Sequence, residues 1–267
     1  MQAQIVLTLS VGAVKPLLAA KDPRCATLMQ VPEFASKELG LRGLNLPTGI
    51  LTGRQASDLD KLRDLADKAS APCLVLVEET PLGFADPRPD IRNQIEERVR
   101  RLASAANRLG CRDIAVRCLA KNTDEDFERA AGGIKAALQE IDRFDLNVLL
   151  VPHEGLTFEP MRLTDLIKKV GGFRIGSLPS FAHAHASGDI EKTLRKLAPY
   201  AESIDATIVG FKDDVHQPFD LAVCVESVRA VGYVNTLALD YVGKGNIVDD
   251  LVKARGILDQ AVQTDEE

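Results

Sequence analysis

Residues 91–119 read IRNQIEERVRRLASAANRLGCRDIAVRCL, a helical pattern that passes through one glycine into an apolar run. The apolar residues of the first part recur every three or four positions and share one helix face: Ile91, Ile95, Val99, Leu102, Ala106 and Leu109. Gly110 follows, and glycine readily adopts the left-handed conformation that ends a helix. Residues 113–119 are mostly apolar, as in a strand covered on both faces. The stretch therefore predicts a helix that leads directly into a buried strand.

The same unit recurs along the whole chain. The pattern predicts strands at residues 4–10, 41–46, 73–79, 113–119, 147–154, 173–180, 203–211 and 234–241. It predicts helices at 58–71, 91–109, 125–141, 163–170, 189–200, 219–231 and 247–262, with a less regular crossover before Gly40. Eight strand and helix units in about 250 residues are typical of a (β/α)8 TIM barrel, here one domain over residues 1–267.

A doubly wound open sheet is the alternative architecture. It usually has fewer units and needs a glycine-rich phosphate turn after its first strand. The first turn here reads Ser10-Val11-Gly12-Ala13-Val14 and lacks that motif. The first turn therefore favours the barrel.

Composition limits the function classes. The 267 residues are 45% hydrophobic and 27% charged, enough for one large core. The net charge of −6 gives no basic surplus for nucleic-acid binding. No stretch approaches 18 apolar residues and no charged segment precedes the first apolar run, so we expect a cytoplasmic protein without a membrane span or signal. Five scattered cysteines without a CxxC pair predict buried free thiols in a reducing compartment. The oligomeric state stays open, a homo-oligomer included.

Polar residues end the predicted strands, which is where catalytic groups gather in such a barrel. They are Asn45, Glu78, Glu79, Arg117, His153, Glu154, Ser180, His183, Asp205, Lys212 and Asp240. Carboxylates and imidazoles around one opening suit a divalent cation. Such an ion would polarise a hydroxyl or carbonyl oxygen of a substrate.

Several motifs together resemble the xylose isomerase-like barrels, a superfamily of sugar isomerases, sugar epimerases and endonuclease IV. Residues 91–116 resemble the third helix and fourth strand, and residues 149–154 (LLVPHE) place Glu154 where the family has a metal-binding Glu. Residues 180–189 (SFAHAHASGD) resemble Asp-x-x-His followed by the Gly-Asp that opens helix six. Residues 237–241 (LALDY) resemble the Ile-Glu-Tyr of strand eight.

The resemblance implies a metal held by Glu, Asp, His and Glu from strands five to eight, and the chain departs from that set. Glu154 is retained, but Ser180 stands where the Asp is expected, and its hydroxyl stays protonated at neutral pH. An altered set of Glu154, His183, Asp205 and Asp240 remains open as a site for Mn²⁺, Mg²⁺, Co²⁺ or Zn²⁺. The alternative is a metal-free site, in which a carboxylate among other carboxylates has a raised pKa and acts unaided.

The resemblance also implies a chemistry: proton transfer at a carbon beside a carbonyl, in a sugar or sugar phosphate. Two carboxylates on opposite sides of the substrate suit it, and Glu154 and Asp240 stand at matching strand ends. The other substrate-binding candidates are Arg117, His183, Lys212 and Glu78. A nuclease of the endonuclease IV type is disfavoured, because four histidines arranged as here cannot supply its three metals.

Less specific interpretations stand beside these. Arg117 can instead bridge to Glu78 or Glu79 at the rim, and Asp205 can be a strand-end cap. We expect residues 182–186 to form an extended loop with surface histidines, and residues 212–214 a solvated loop. The alternative function is that of a metal-free relative that binds a small polar metabolite or a partner without turning it over.

Overall fold

Eight parallel strands curl into one sheet in the computed structural model, which describes residues 4–263; the first three and last four residues of the predicted domain lie outside it. The strands are β1 Val6–Ser10, β2 Leu44–Pro47, β3 Cys73–Val77, β4 Asp113–Arg117, β5 Asn147–Val151, β6 Ile175–Ser177, β7 Ser203–Ile208 and β10 Thr236–Tyr241. The short strands β8 Phe211–Lys212 and β9 Val215–His216 form a separate hairpin. β1 to β6 pair in chain order, and β10 pairs between β1 and β7. Bridges Ser177–Ala201 and Ser180–Asp205 join β6 to β7 and close the ring.

Helices alternate with the strands. They are α1 Lys15–Ala20, α2 Val31–Lys37, α3 Ala56–Lys68, α4 Pro89–Leu109, α5 Asp124–Glu140, α6 Pro160–Val170, α7 Phe181–Ala186, α8 Ile190–Leu197, α9 Leu221–Arg229 and α10 Ile247–Gln263. All eight predicted strands and seven predicted helices are confirmed, with ends that agree within three residues. Gly110 ends α4 with φ of +77°, as predicted. The irregular first crossover consists of α1, α2 and short 3-10 turns.

Two segments differ from the sequence-based expectation. Residues 181–186 form helix α7 rather than an extended loop, because the Ser180 hydroxyl caps it by accepting a hydrogen bond from the backbone N–H of His183 at 3.1 Å. Strand β7 ends at Ile208, and Phe211–Lys212 (β8) pairs with Val215–His216 (β9) in a hairpin instead of a solvated loop. The two turn residues 213 and 214 have φ of 49° and 65°, as a type I′ turn requires.

The inside of the barrel divides into an apolar and a polar half. Val75, Ala115, Leu149, Val151 and Leu178 form a small apolar cluster on the side of β3 to β6. The other side, from β7 through β10 and β1 to β2, carries polar groups. The Asn45 side-chain amide, for example, donates to the Ser203 hydroxyl at 3.1 Å across the barrel. The polar half is the part of the interior that can hold charged groups.

The five cysteines are buried and unpaired, which confirms the prediction of free thiols. Burial raises the pKa of Cys25 to about 11 and the pKa of Cys73 to about 12, so both remain thiols at neutral pH. Between residues 4 and 263, no helix combines the length and hydropathy needed to cross a membrane.

Asp113 at the N-terminal end of the barrel should make stability depend on pH. Burial raises its pKa to about 6, and the nearby Glu202 charge adds to the shift, whereas a hydrogen bond from Asn147 at 2.7 Å opposes it. The folded state therefore holds a proton that the unfolded chain releases near pH 4. We expect the stabilisation that this bound proton gives to the folded state to be complete below pH 4 and to be lost as the pH rises through 6.

Asp113→Asn removes the carboxyl group that binds this proton. Between pH 5 and 7.5 the free energy of unfolding of the wild type should fall by about 1–2 kcal/mol more than that of the variant. Urea denaturation at the two pH values measures the difference. If the free energy of unfolding falls by the same amount in both proteins between the two pH values, the assignment of this pH dependence to Asp113 is wrong.

Candidate active site

Two carboxylates lie side by side at the C-terminal mouth of the barrel. Parallel register sets Ala238 beside Asp205 and Asp240 beside Thr207, and residues 205 and 207 lie on the same strand face as Ser203, which contacts Asn45 inside the barrel. Alternation along a strand therefore points both carboxylates inward. Asp240 also faces the loop after β1, since a Cβ placed on Gly12 would lie 3.9 Å from its Oδ1. Asp205 lies deeper in the barrel than Asp240, because its partner in the register is Ala238, two residues before Asp240.

Both carboxylates have raised pKa values. Burial raises the pKa of Asp205 well above its usual range; the neighbouring Asp240 charge raises it further, and Arg117 opposes the shift. Burial also raises the pKa of Asp240, against the effects of a hydrogen bond from the Ser10 hydroxyl and of the Arg117 and Lys15 charges. More groups favour the charged form of Asp240 than that of Asp205.

Arg117 at the end of β4 supplies positive charge to this pair. Its guanidinium donates hydrogen bonds to the backbone carbonyls of Glu78 at 3.1 Å and Glu79 at 3.5 Å. The predicted rim bridge thus forms to backbone oxygens rather than to the two carboxylates. Because these carbonyls carry no full charge, the guanidinium remains available to Asp205, Asp240 and a substrate.

The loops after β1 and β2 add groups that the sequence analysis missed. The Lys15 ammonium lies 2.5 Å from Oε1 of Glu79, and the backbone N–H of Gly49 donates to Oε2 of Glu79 at 2.7 Å. Burial acts to raise the pKa of Glu79, but the hydrogen bonds from these two donors outweigh it and lower the pKa. Ser10 ends β1 as the other polar residues end their strands, so the same strand-end pattern could have identified it.

Glu154 stands elsewhere around the mouth. It lies in the bend just after β5, three ring positions from β10, and its side chain is exposed. Among residues 4–263, none hydrogen-bonds or ion-pairs with its carboxylate. The backbone beside it is fixed, because Gly155 bridges to Ala120 with φ of +89°, and a Cβ there would lie 2.2 Å from the Ala120 carbonyl oxygen. Glu154 is thus a free carboxylate on a rigid loop.

His183 lies in α7 beside the mouth and is 9% exposed. Its Nε2 lies 2.7 Å from the Phe158 carbonyl oxygen, which can only accept, so Nε2 carries the proton. Burial lowers the pKa of the ring. Nδ1 is buried and meets no hydrogen-bond donor in the described part of the chain, which leaves its lone pair open.

Two other predicted substrate contacts differ in their availability. The Glu78 carboxylate is 1% exposed and already accepts from the Arg98 guanidinium, the Thr48 hydroxyl at 3.2 Å and the Thr80 backbone N–H at 3.0 Å. It holds the β3 end in place and leaves little room for a substrate. Lys212 is exposed on β8, and its ammonium is unpaired within residues 4–263.

The four proposed metal ligands are not gathered into one site. In the range 4–263, no three or more His, Cys, Asp or Glu side chains are placed to hold an ion. Ser180 is used as the cap of α7, and Glu154 lies on the loop after β5. The mouth instead places the Arg117 charge near Asp205 and Asp240. A guanidinium beside the two carboxylates repels a divalent cation, so this set of residues does not suit one.

A family model described as xylose isomerase-like TIM barrel matches residues 34–255. The chain belongs to this family. No curated protein matches its sequence.

Solved structures show the same barrel at low sequence identity. The structure of L-ribulose 3-epimerase superposes with a TM-score of 0.76 at 12% identity and full coverage of both chains. A probable 3-DHS dehydratase from Bacillus anthracis has a TM-score of 0.74 at 14% identity, covering 96% of this chain and 99% of that one. The IOLI protein with a bound zinc atom has a TM-score of 0.73 at 12% identity, covering 97% and 98%. At such identities the likeness of this xylose isomerase-like barrel to the three structures establishes the fold.

Proposed function

We propose that this protein isomerises or epimerises a small sugar or sugar phosphate by proton transfer beside its carbonyl, without a divalent metal ion. The observation that carries the proposal is the inward-facing pair of Asp205 and Asp240 next to Arg117. One ionised and one protonated carboxyl supply a base and an acid at the same place. The sugar epimerases among its structural neighbours support the substrate class.

The groups then have distinct roles. Asp240 takes the proton from the carbon beside the carbonyl, and Asp205 gives its proton to the carbonyl oxygen, which yields an enediol. Arg117 stabilises negative charge that develops on that oxygen. For the epimer, the exposed Glu154 passes a proton from solvent to the same carbon from the opposite side, the enediol hydroxyl returns its proton to Asp205, and Asp240 releases its proton to solvent. For the isomer, Asp240 returns its proton to the neighbouring carbon, and the hydroxyl on the first carbon gives its proton to Asp205.

Two further groups orient the substrate in this proposal. The Nδ1 lone pair of His183 would accept a hydrogen bond from a substrate hydroxyl after a small movement of the side chains that cover this buried atom. Lys212 on the hairpin approaches the outer end of the substrate. Glu78 acts only through its backbone carbonyl, which fixes Arg117.

Deuterium uptake from D₂O by a panel of ketoses and ketose phosphates, with chelator present, tests the proposal. The wild type should exchange the hydrogen beside the carbonyl of at least one member. Glu154→Gln should slow epimer interconversion by about 10²- to 10⁴-fold, because it removes one of the two proton donors to carbon. Glu159→Gln, an exposed neighbour on the same loop, is the matched control and should behave as wild type.

Other outcomes are equally informative. Exchange that appears only after a metal is added would overturn the metal-independent mechanism. Binding of a panel member without any exchange would favour the alternative of a metabolite-binding relative. Unchanged interconversion in Glu154→Gln would remove Glu154 from the reaction.

A further inference from the structure

A groove of about 580 Å³ opens beside the mouth, between the loops that follow β1 and β2. Its lining residues are Lys15, Leu18, Ala19, Ala26, Thr27, Leu28, Gly49, Ile50 and Arg54. Both loops leave the C-terminal ends of their strands, so the groove lies on the same face of the barrel as the carboxylate pair. It is large enough for a small organic anion.

The charge of the groove is unusual for this protein. Its lining contains two cations and no carboxylate, although the whole chain has a net charge of −6. Three other grooves, of about 530, 430 and 300 Å³, each combine basic with acidic lining residues. The charges of those three grooves are balanced within their linings, whereas in the first groove Glu79 balances Lys15 and the charge of Arg54 remains for an anion.

Arg54 has no partner for its charge. It lies just before α3, and within residues 4–263 its guanidinium forms neither a hydrogen bond nor an ion pair. An unpaired guanidinium presents a planar set of donors that matches phosphate oxygens. Apolar side chains of Leu18, Leu28 and Ile50 line the same groove and can pack against the carbon atoms of a ligand.

Lys15 connects the groove to the catalytic pair. Its ammonium contacts Glu79, and Lys15 directly follows the turn of residues 11–14, in which Gly12 faces Asp240. An ammonium has three donors, and Glu79 takes one of them. Lys15 can therefore hold one end of a ligand whose other end reaches Asp240.

We propose that the groove binds the phosphate of a phosphorylated substrate, with Arg54 and Lys15 as its ligands, while the carbonyl end lies at Asp205 and Asp240. This inference rests on the proposed function and narrows its substrate class to sugar phosphates. A phosphate group offers three oxygens to the Arg54 guanidinium and to the remaining Lys15 donors, one more than a carboxylate offers.

Calorimetric titration with inorganic phosphate and with acetate tests the groove directly. We expect phosphate to bind more tightly than acetate, and Arg54→Ala to weaken phosphate binding on the order of tenfold. The matched control is Arg42→Ala, an exposed arginine before β2 at the opposite end of the barrel. It should bind phosphate as the wild type does. Both arginines are exposed, and circular dichroism confirms that the variants fold.

Phosphate binding that is absent, or equally strong in Arg54→Ala and Arg42→Ala, would overturn the inference. The proposed function has a separate readout, since hydrogen exchange in Asp240→Asn tests it independently of the groove. Loss of exchange in Asp240→Asn without phosphate binding would leave the proposed function standing and reject the groove. Tenfold weaker phosphate binding in Arg54→Ala, with normal exchange in Asp240→Asn, would support a phosphate site but reject the proposed function.

Discussion

Asp240→Asn should lower the rate of hydrogen exchange beside the substrate carbonyl by about 10³-fold. The amide has no lone pair basic enough to take a proton from carbon, and it keeps the size of the carboxylate, so the barrel mouth retains its shape. Exchange measured by proton NMR in D₂O gives the rate. Asp213→Asn, on the exposed turn of the β8–β9 hairpin, makes the same change without entering the mouth and should leave the rate unchanged.

The same variant should be more stable than the wild type at neutral pH. Burial beside Asp205 penalises the charged form of Asp240, and the amide removes that penalty. Because the folded-state pKa values of the pair are raised, the contribution of the pair to stability is greatest at low pH and is lost as the pH rises through them. We expect a gain of about 1–3 kcal/mol in the free energy of unfolding at pH 7. A slower and less stable variant would argue that Asp240 is a structural cap.

Arg117→Met should shift the dependence of the exchange rate on pH toward higher pH. The Arg117 charge lowers the pKa of both Asp205 and Asp240, so its removal favours the protonated forms and depletes the base Asp240. The pH at which the exchange rate rises to half of its maximum should increase by about one unit or more. The rate at pH 7 should accordingly fall at least tenfold and partly recover above pH 8.

Arg112→Met provides the control for this variant. Arg112 immediately precedes β4, at the opposite end of the strand from Arg117, and is exposed. The loss of one distant positive charge should hardly change the profile, because solvent screens it from the mouth. A profile in Arg117→Met that keeps its midpoint and falls by the same factor at every pH would show that Arg117 only positions the substrate.

The barrel could be predicted because each of its units carries its own periodic signal. The α4 stripe and the apolar run of β4 need no information from distant residues, and the predicted ends agree with the structure within three residues. α7 was missed because five of its six residues, 182–186, alternate alanine with histidine. That pattern gives no apolar stripe, and the helix depends on capping by Ser180.

The site could be predicted only in part. The pattern of polar strand ends identified Asp240, Arg117 and Asp205, which the ring brings together. It could not show that Asp205 lies inside the barrel beside Asp240, because this depends on the register between β7 and β10. It also could not show which atoms of Glu78 the Arg117 guanidinium contacts. The sequence places the two residues at neighbouring strand ends, and from there the guanidinium could reach either the carboxylate or the backbone carbonyl that it contacts in the structure.

The central claim is that Asp205 and Asp240 share one proton at the barrel mouth. Carbon-13 NMR of protein labelled at the aspartate carboxyls measures it directly, with Asp205→Asn and Asp240→Asn assigning the two signals. The account predicts that at neutral pH one of the two carboxyls is still protonated and that its pKa returns toward the usual range when the other becomes an amide. Two signals that titrate independently in the usual aspartate range would contradict it.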